Sequence, residues 1–261
     1  EKNIITCYNE KERMLYEMET FVNGRNLSND EKRIKLSETL NKALYLESIG
    51  KKNEAEKLFL KSCRIAENLY RQTFSNKDRI KVVECYIKIS EFYQNSDLRM
   101  DFVQRWYQKI IGILQDSSKI NSSMDEFRYL IEWYVKTIYL MFNNCDYNHI
   151  IISSKKMLEK SRYLYKKTKT NEDLKFIILS KLFLANAYYE QKKLVKAYYY
   201  YYLVVNHMEK VYQKLFDEGL KNDLLYVYQK LFNLTSKKVF RLINRKWKIR
   251  ILELKETNNV K

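Results

Sequence analysis

The chain has 261 residues, 46% hydrophobic and 31% charged, and its 49 Lys/Arg against 32 Asp/Glu give a net charge of +17. Mixed charge on that much apolar material excludes a disordered polyelectrolyte. Proline is absent and glycine occurs four times, where average usage predicts roughly thirteen and roughly eighteen, so the tight turns of a β-sandwich or barrel are excluded and helices joined by simple turns are expected.

Residues 1–29 are polar, lack a signal-peptide core and begin at Glu1 rather than Met, which leaves room for a preceding segment; a flanking helix is expected there. Ser28 and Glu31 then read as a capping box, in which a hydroxyl and a carboxylate satisfy orphan amides at a helix start. The hairpin they open, 30–77, contains "ALYLESIGKKNEAEKLFLKS". Ala43 and Leu46 precede a Gly-Lys-Lys-Asn turn, and Ala55, Phe59 and Ser62 follow it. Small residues let two helices approach closely, and large ones fill the grooves beside them. The polar "FSNKD" ends the hairpin.

The pattern returns over 78–122 as Ser90, Tyr93, Phe102, Trp106 and Lys109. Phe102 and Lys109 break the small-residue rule, so a splayed or shifted hairpin is expected. A third hairpin, 123–169, opens on Ser123 and Glu126 and has either Thr137 or Ile138 at its first small site. The fourth, 170–220, opens on Thr170 and Asp173 and carries Ala185, Tyr188, Ala197, Tyr201 and Val204. The anchors 43, 90, 137 or 138, and 185 recur at about 47 residues, and such periods mark repeat architectures. The run "AYYYYYLVV", 197–205, falls in the second helix of the fourth hairpin. Ala197, Tyr201, Val204, Leu194 and Val205 are expected to point inward, with the other tyrosines packing at its sides.

Residues 221–261 are expected to form basic capping helices. In "SKKVFRLINRKWKIRILELK", Phe240, Ile243, Trp247, Ile251 and Leu254 make a helical stripe, while Lys237, Arg241, Arg245 and Lys248 run along another face. A stack of repeats needs such a cap for solubility, and a basic face also suits an anionic membrane, nucleic acid or an acidic protein. Residues 1–130 hold 23 Lys/Arg and 20 Asp/Glu, whereas 131–261 hold 26 and 12, so the second half carries most of the attraction for anions.

The small-large pattern at 43–62, repeated around 90, 137 and 185, resembles the tetratricopeptide repeat (TPR) family. The resemblance covers 30–216. It implies an all-α fold, an α-solenoid of about four antiparallel hairpins in a right-handed superhelix with flanking N- and C-terminal helices. The family's usual unit is about 34 residues; the extra length here adds roughly one to two turns per helix. The family binds protein or peptide segments on a concave face lined by first helices. Carried over, that face includes Glu91 of the second hairpin, Tyr134, Ile138, Met141 and Phe142 of the third on the Thr137 register, and Leu182, Asn186 and Tyr189 of the fourth. The family's carboxylate clamp is not matched by Leu40, Leu44, Glu84 and Lys88.

Catalytic chemistry finds no pattern. His149 and His207 lack metal-spaced partners, and Gly24, Gly50, Gly112 and Gly219 stand too far apart for a phosphate loop. Cys7, Cys63, Cys85 and Cys145 match no zinc or redox spacing and read as reduced thiols in a helical core. No apolar run approaches the roughly 20 residues of a membrane span. The expectation is a cytoplasmic, non-enzymatic scaffold without metal or cofactor, whose partner is a protein or peptide, an acidic one included; a narrower version makes it the sensory part of a bacterial peptide-responsive regulator. The alternative is a nucleic-acid-binding helical repeat protein using the basic C-terminal half.

Overall fold

The computed structural model describes residues 27–95, 100–117, 123–215, 218–236 and 241–256. Among them it is all-α, with ten helices: α1 Asn29–Ser48, α2 Lys52–Thr73, α3 Asn76–Asn95, α4 Met100–Ser117, α5 Met124–Asn143, α6 Tyr147–Thr168, α7 Asn171–Glu190, α8 Leu194–Leu215, α9 Glu218–Leu234 and α10 Arg241–Glu256. Residues 1–26, which hold nearly all of the expected N-terminal flanking helix and Cys7, lie outside the described residues, as do Lys237 and Phe240.

The chain forms two units, Glu1–Ile89 and Ser90–Lys261, divided within α3. In the first, α1 packs on α2. In the second, each helix from α4 to α10 packs on the next, and the first helices α5 and α7 also touch. This is the contact pattern of an α-solenoid. Helices α9 and α10 pack on each other, and α9 packs on α8, so the segment expected as a cap extends the stack as a further pair.

Three hairpin turns show how so few glycines suffice. Gly50, Cys145 and Lys192 have φ of 77°, 55° and 61°. In each, the amide at this residue bonds a carbonyl three back and the next amide bonds one five back: Gly50 to Glu47 and Lys51 to Leu46, Cys145 to Phe142 and Asp146 to Met141, Lys192 to Tyr189 and Lys193 to Tyr188. These are Schellman turns, whose left-handed residue is usually glycine. Two of the three here are built with a side chain in place. Cys145 is therefore exposed at a turn, a correction to the expected core position, while Cys63 and Cys85 are buried free thiols.

Helix starts are fixed by hydroxyls. The Ser28 hydroxyl accepts from the Glu31 amide while the Glu31 carboxylate accepts from the Ser28 amide; Ser123 and Thr170 accept from the Glu126 and Asp173 amides. A larger device was not foreseen. Asp78 is fully buried and its carboxylate receives Arg33 Nε and Nη2 at 3.0 and 2.8 Å, together with the Thr73 and Ser75 hydroxyls at 2.7 Å each. Asp173, also fully buried, receives Arg128 Nε and Nη2 at 2.9 and 3.0 Å with the Thr168 and Thr170 hydroxyls. Each clasp ties the start of one first helix to the start of the next. The arginine holds the Asp173 carboxyl down at about 2, against opposition from burial.

The hairpin cores are filled as the small-large pattern requires. Ala43, Ala55, Phe59, Ser62, Ala185, Ala197, Tyr201 and Val204 are all 0% exposed. Burying one such large apolar side chain contributes about 1.5–3 kcal/mol. At the irregular second hairpin, the Phe102 ring lies 5.2 Å from Tyr93 and Lys109 Nζ sits 4.3 Å over the Trp106 ring, so aromatic packing takes the place of close backbone approach.

Within the tyrosine run, Tyr201 and Val205 are buried as expected, but Leu194 is half-exposed because it opens α8 beside the turn. Tyr198 stacks on Tyr202, Tyr200 stacks on Tyr188 of α7, and Tyr202 meets Trp247 of α10 edge-on. The run thus joins α8 to its neighbours on both sides.

Candidate partner-binding face

The register of the first helices decides which residues can meet a partner. Ala43, Ser90 and Ala185 are each the fifteenth residue of α1, α3 and α7, and in α5 the fifteenth residue is Ile138. The Thr137 register is therefore off by one, a rotation of about 100° on a helix of 3.6 residues per turn. This corrects three expected groove residues. Tyr134, Ile138 and Met141 are 2%, 0% and 1% exposed and belong to the core. The Tyr134 hydroxyl accepts from Gln115 of α4.

Shifted by one, the α5 residues of this face are Glu132, Val135, Tyr139 and Phe142. Glu132 and Tyr139 are exposed, and Val135 and Phe142 are half-buried. Tyr139 meets the buried ring of Phe183 on α7 at 5.2 Å, edge to face, and Phe142 lies 6.0 Å from the same ring. These spacings suit favourable aromatic pairing. One seam between successive first helices is thus aromatic.

The next seam repeats the theme. Leu182, Asn186 and Tyr189 of α7 are half-buried, as a lining surface requires. Lys230 of α9 places Nζ 4.7 Å from the Tyr189 ring centre and 5.4 Å from that of Tyr226, an exposed residue of α9. A cation held between two ring faces is attracted by both quadrupoles. Asn186 is committed on one side: its Oδ1 accepts from the Tyr201 hydroxyl at 2.5 Å. Its Nδ2 has no partner among the described residues, so it remains a donor on the face. Burial, with Tyr226 and Tyr189 nearby, pushes the Tyr201 hydroxyl far above its ordinary range, so it stays a donor.

Glu91 is exposed near the end of α3, close to Tyr107 of α4, whose hydroxyl is pushed up by burial first and by Glu91 second. Of the basic candidates, Arg245 and Lys248 are exposed on α10; Arg241 opens that helix, and Lys237 lies outside the described residues. Helix α10 is seated by Trp247, 1% exposed, with its ring 6.3 Å from Tyr202 and 5.8 Å from Tyr228. Leu254 supports it as the stripe predicted, but Ile243 is 38% exposed.

Sequence reasoning named Phe142 as a groove residue of the third hairpin but missed Tyr139, Tyr226 and Lys230. The signal was present: Ser28, Ser123 and Thr170 precede Ala43, Ile138 and Ala185 by the same fifteen residues, which selects Ile138 without any structure.

Among the described residues no group of three His, Cys, Asp or Glu side chains is arranged to hold a metal ion, and no helix is long and apolar enough to cross a membrane. No protein-family model matches the chain, and no curated protein matches it. Among solved structures, the chain is similar to the apo form of RapI, with a TM-score of 0.49 and 13% identity over 86% of this chain and 72% of that one. It is also similar to a Podosopora anserina putative kinesin light chain with nearly identical TPR-like repeats, with a TM-score of 0.48 and 12% identity over 87% and 98%. A third likeness is to Nro1, described as a hypoxic regulator of sterol synthesis and nuclear import adaptor, with a TM-score of 0.41 and 9% identity over 90% of each chain.

Proposed function

We propose that this protein is a non-enzymatic interaction scaffold built from long TPR-like units of about 47 residues, and that it binds a protein or peptide segment on the face carried by α5, α7 and α9. The observation that supports the reading is the aromatic surface on successive first helices: Tyr139 is 54% and Tyr226 41% exposed, yet both rings already have a partner fixing them. Rigid, amphipathic rings lose little entropy on binding and suit recognition surfaces. Asn186 Nδ2 supplies a donor for a ligand backbone carbonyl, and Lys230 a positive charge for an acidic side chain. The buried free thiols Cys63 and Cys85 fit a reducing compartment such as the cytoplasm.

The test is partner capture from the source cell with wild-type protein, with Tyr139→Ala/Tyr226→Ala, and with Tyr199→Ala, which changes a tyrosine 55% exposed on α8. Loss of two anchors is expected to weaken the specific partner at least tenfold, with Tyr199→Ala unchanged. A partner held equally well by all three proteins removes this face. The narrower reading, a peptide-responsive regulator, requires that partner to be replaced by a short peptide. Capture of polynucleotide that disappears in Arg245→Glu/Lys248→Glu and at raised salt assigns binding to α10 instead.

A further inference from the structure

One recurrent junction of the stack is built differently from the others. Each of α3, α5, α7 and α9 carries a buried residue that faces the preceding second helix: Tyr86, Tyr134, Lys181 and Tyr228. The residue nineteen positions earlier is Glu67, Gln115, Arg162 and Glu209. Tyr86 and Tyr228 donate to Glu67 and Glu209 at 2.5 Å, and Gln115 donates to the Tyr134 hydroxyl. At the α7 junction the tyrosine is replaced by a lysine and the acceptor by an arginine. The junction has two cations and no acid.

Lys181 is 4% exposed, and among the described residues no carboxylate lies within salt-bridge distance of it or of Arg162. Its Nζ lies 3.5 Å from both ring nitrogens of His207 on α8. Being equidistant, it is aligned with neither lone pair, and the distance is at the limit of a hydrogen bond. His207 Nδ1 bonds the Leu203 carbonyl at 2.8 Å, which can only accept, so Nδ1 carries the proton and Nε2 is the free acceptor in the neutral ring. The charged groups facing this spot are Arg162 from α6 and His207 and Lys210 from α8; Arg162 also lies near the Tyr200 hydroxyl. Arg162 is exposed, and His207 and Tyr200 are half-buried, so the cluster opens on the Arg162 side with Lys181 behind it.

A buried ammonium without a counter-charge is costly, and cations converging without an acid leave the acid to be supplied from outside. We propose that Lys181, Arg162 and His207 form a binding site for a small oxyanion of the phosphate class, either free phosphate or a phosphate monoester. Three cationic or potential donor side chains with no acid among them suit a multiply charged tetrahedral oxyanion better than a singly charged planar carboxylate. Arg162 contributes an exposed guanidinium and Lys181 a buried ammonium, and His207 adds a further donor only when protonated, a state that burial and the neighbouring cations disfavour until an anion is bound. Burial, aided by Arg162, lowers the Lys181 ammonium to about 8. A bound anion opposes that shift, so affinity falls as the pH rises through about 8. The site faces second helices and does not rest on the aromatic face of α5, α7 and α9.

The experiment is calorimetric titration of the full chain, in low-chloride buffer at neutral pH, with inorganic phosphate, phenyl phosphate and acetate as probes. One saturable phosphate site is expected, weakened at least tenfold by Lys181→Met and also by Arg162→Gln, and unchanged in Arg245→Gln/Lys248→Gln, which reports on the basic α10. The variant Lys181→Tyr/Arg162→Glu restores the pair seen at Tyr228 and Glu209; it should fold, keep partner capture and bind no phosphate. Phenyl phosphate binding as tightly as phosphate indicates a monoester, and weaker binding indicates the free ion. Absence of saturable phosphate binding up to ~10 mM, equal affinity for acetate, or phosphate binding retained in both Lys181 variants overturns the proposal.

Discussion

Two residues, Asp78 and Asp173, do more to define the helix starts than any amphipathic pattern. Each accepts a two-pronged arginine and two hydroxyls while fully buried, and removing one partner of such a group leaves the rest uncompensated. Asp173 is held at about 2 against an ordinary 3.8. Its contribution is therefore complete above about pH 4 and is lost as the pH falls towards 2. Asp173→Asn is expected to lower stability at pH 7 by about 2–3 kcal/mol and to flatten the acid limb of a denaturation series; an acid limb identical to wild type contradicts this. The sequence showed half of the device. Thr170 and Asp173 read as a cap, but the arginine 45 residues away did not. The signal was a second copy: "TFSNKD" and "TKTNED" stand 95 residues apart, as do "DEKR" and "DEFR".

At the scale of elements, the sequence predicts helices and hairpins well because local chemistry determines them. The four first helices α1, α3, α5 and α7 each have 20 residues and open within two residues of the expected starts. Turn chemistry was less legible. Gly50 announces its turn; Cys145 and Lys192 occupy the same left-handed conformation without announcing it. A Cβ is strained there, so Lys192→Gly is expected to raise stability by about 1 kcal/mol, measured by urea denaturation with an unchanged m-value. A loss of stability would mean that Lys192 makes a contact that outweighs the strain. Rotation of α5 was the main error, and its cause is physical: Thr137 and Ile138 are both buried, so size and polarity alone could not say which one faces α6 across the hairpin.

Within Ser90–Lys261 each helix from α4 onward packs on the next, and that stacking was legible from one recurring interval. The use of the stack was less so, because a partner-binding face is set by the rotation of every first helix. Shifting one helix by a residue puts Val135 and Tyr139 in place of Tyr134 and Ile138, removes Met141 and keeps Phe142. The central claim is that the first-helix aromatics are where a partner sits. A photo-crosslinking amino acid placed at Tyr139, with the same probe at Tyr199 as comparison, measures this in the source cell. Covalent capture of one partner from position 139 and none from 199 is predicted; capture of that partner from 199 alone would contradict the account.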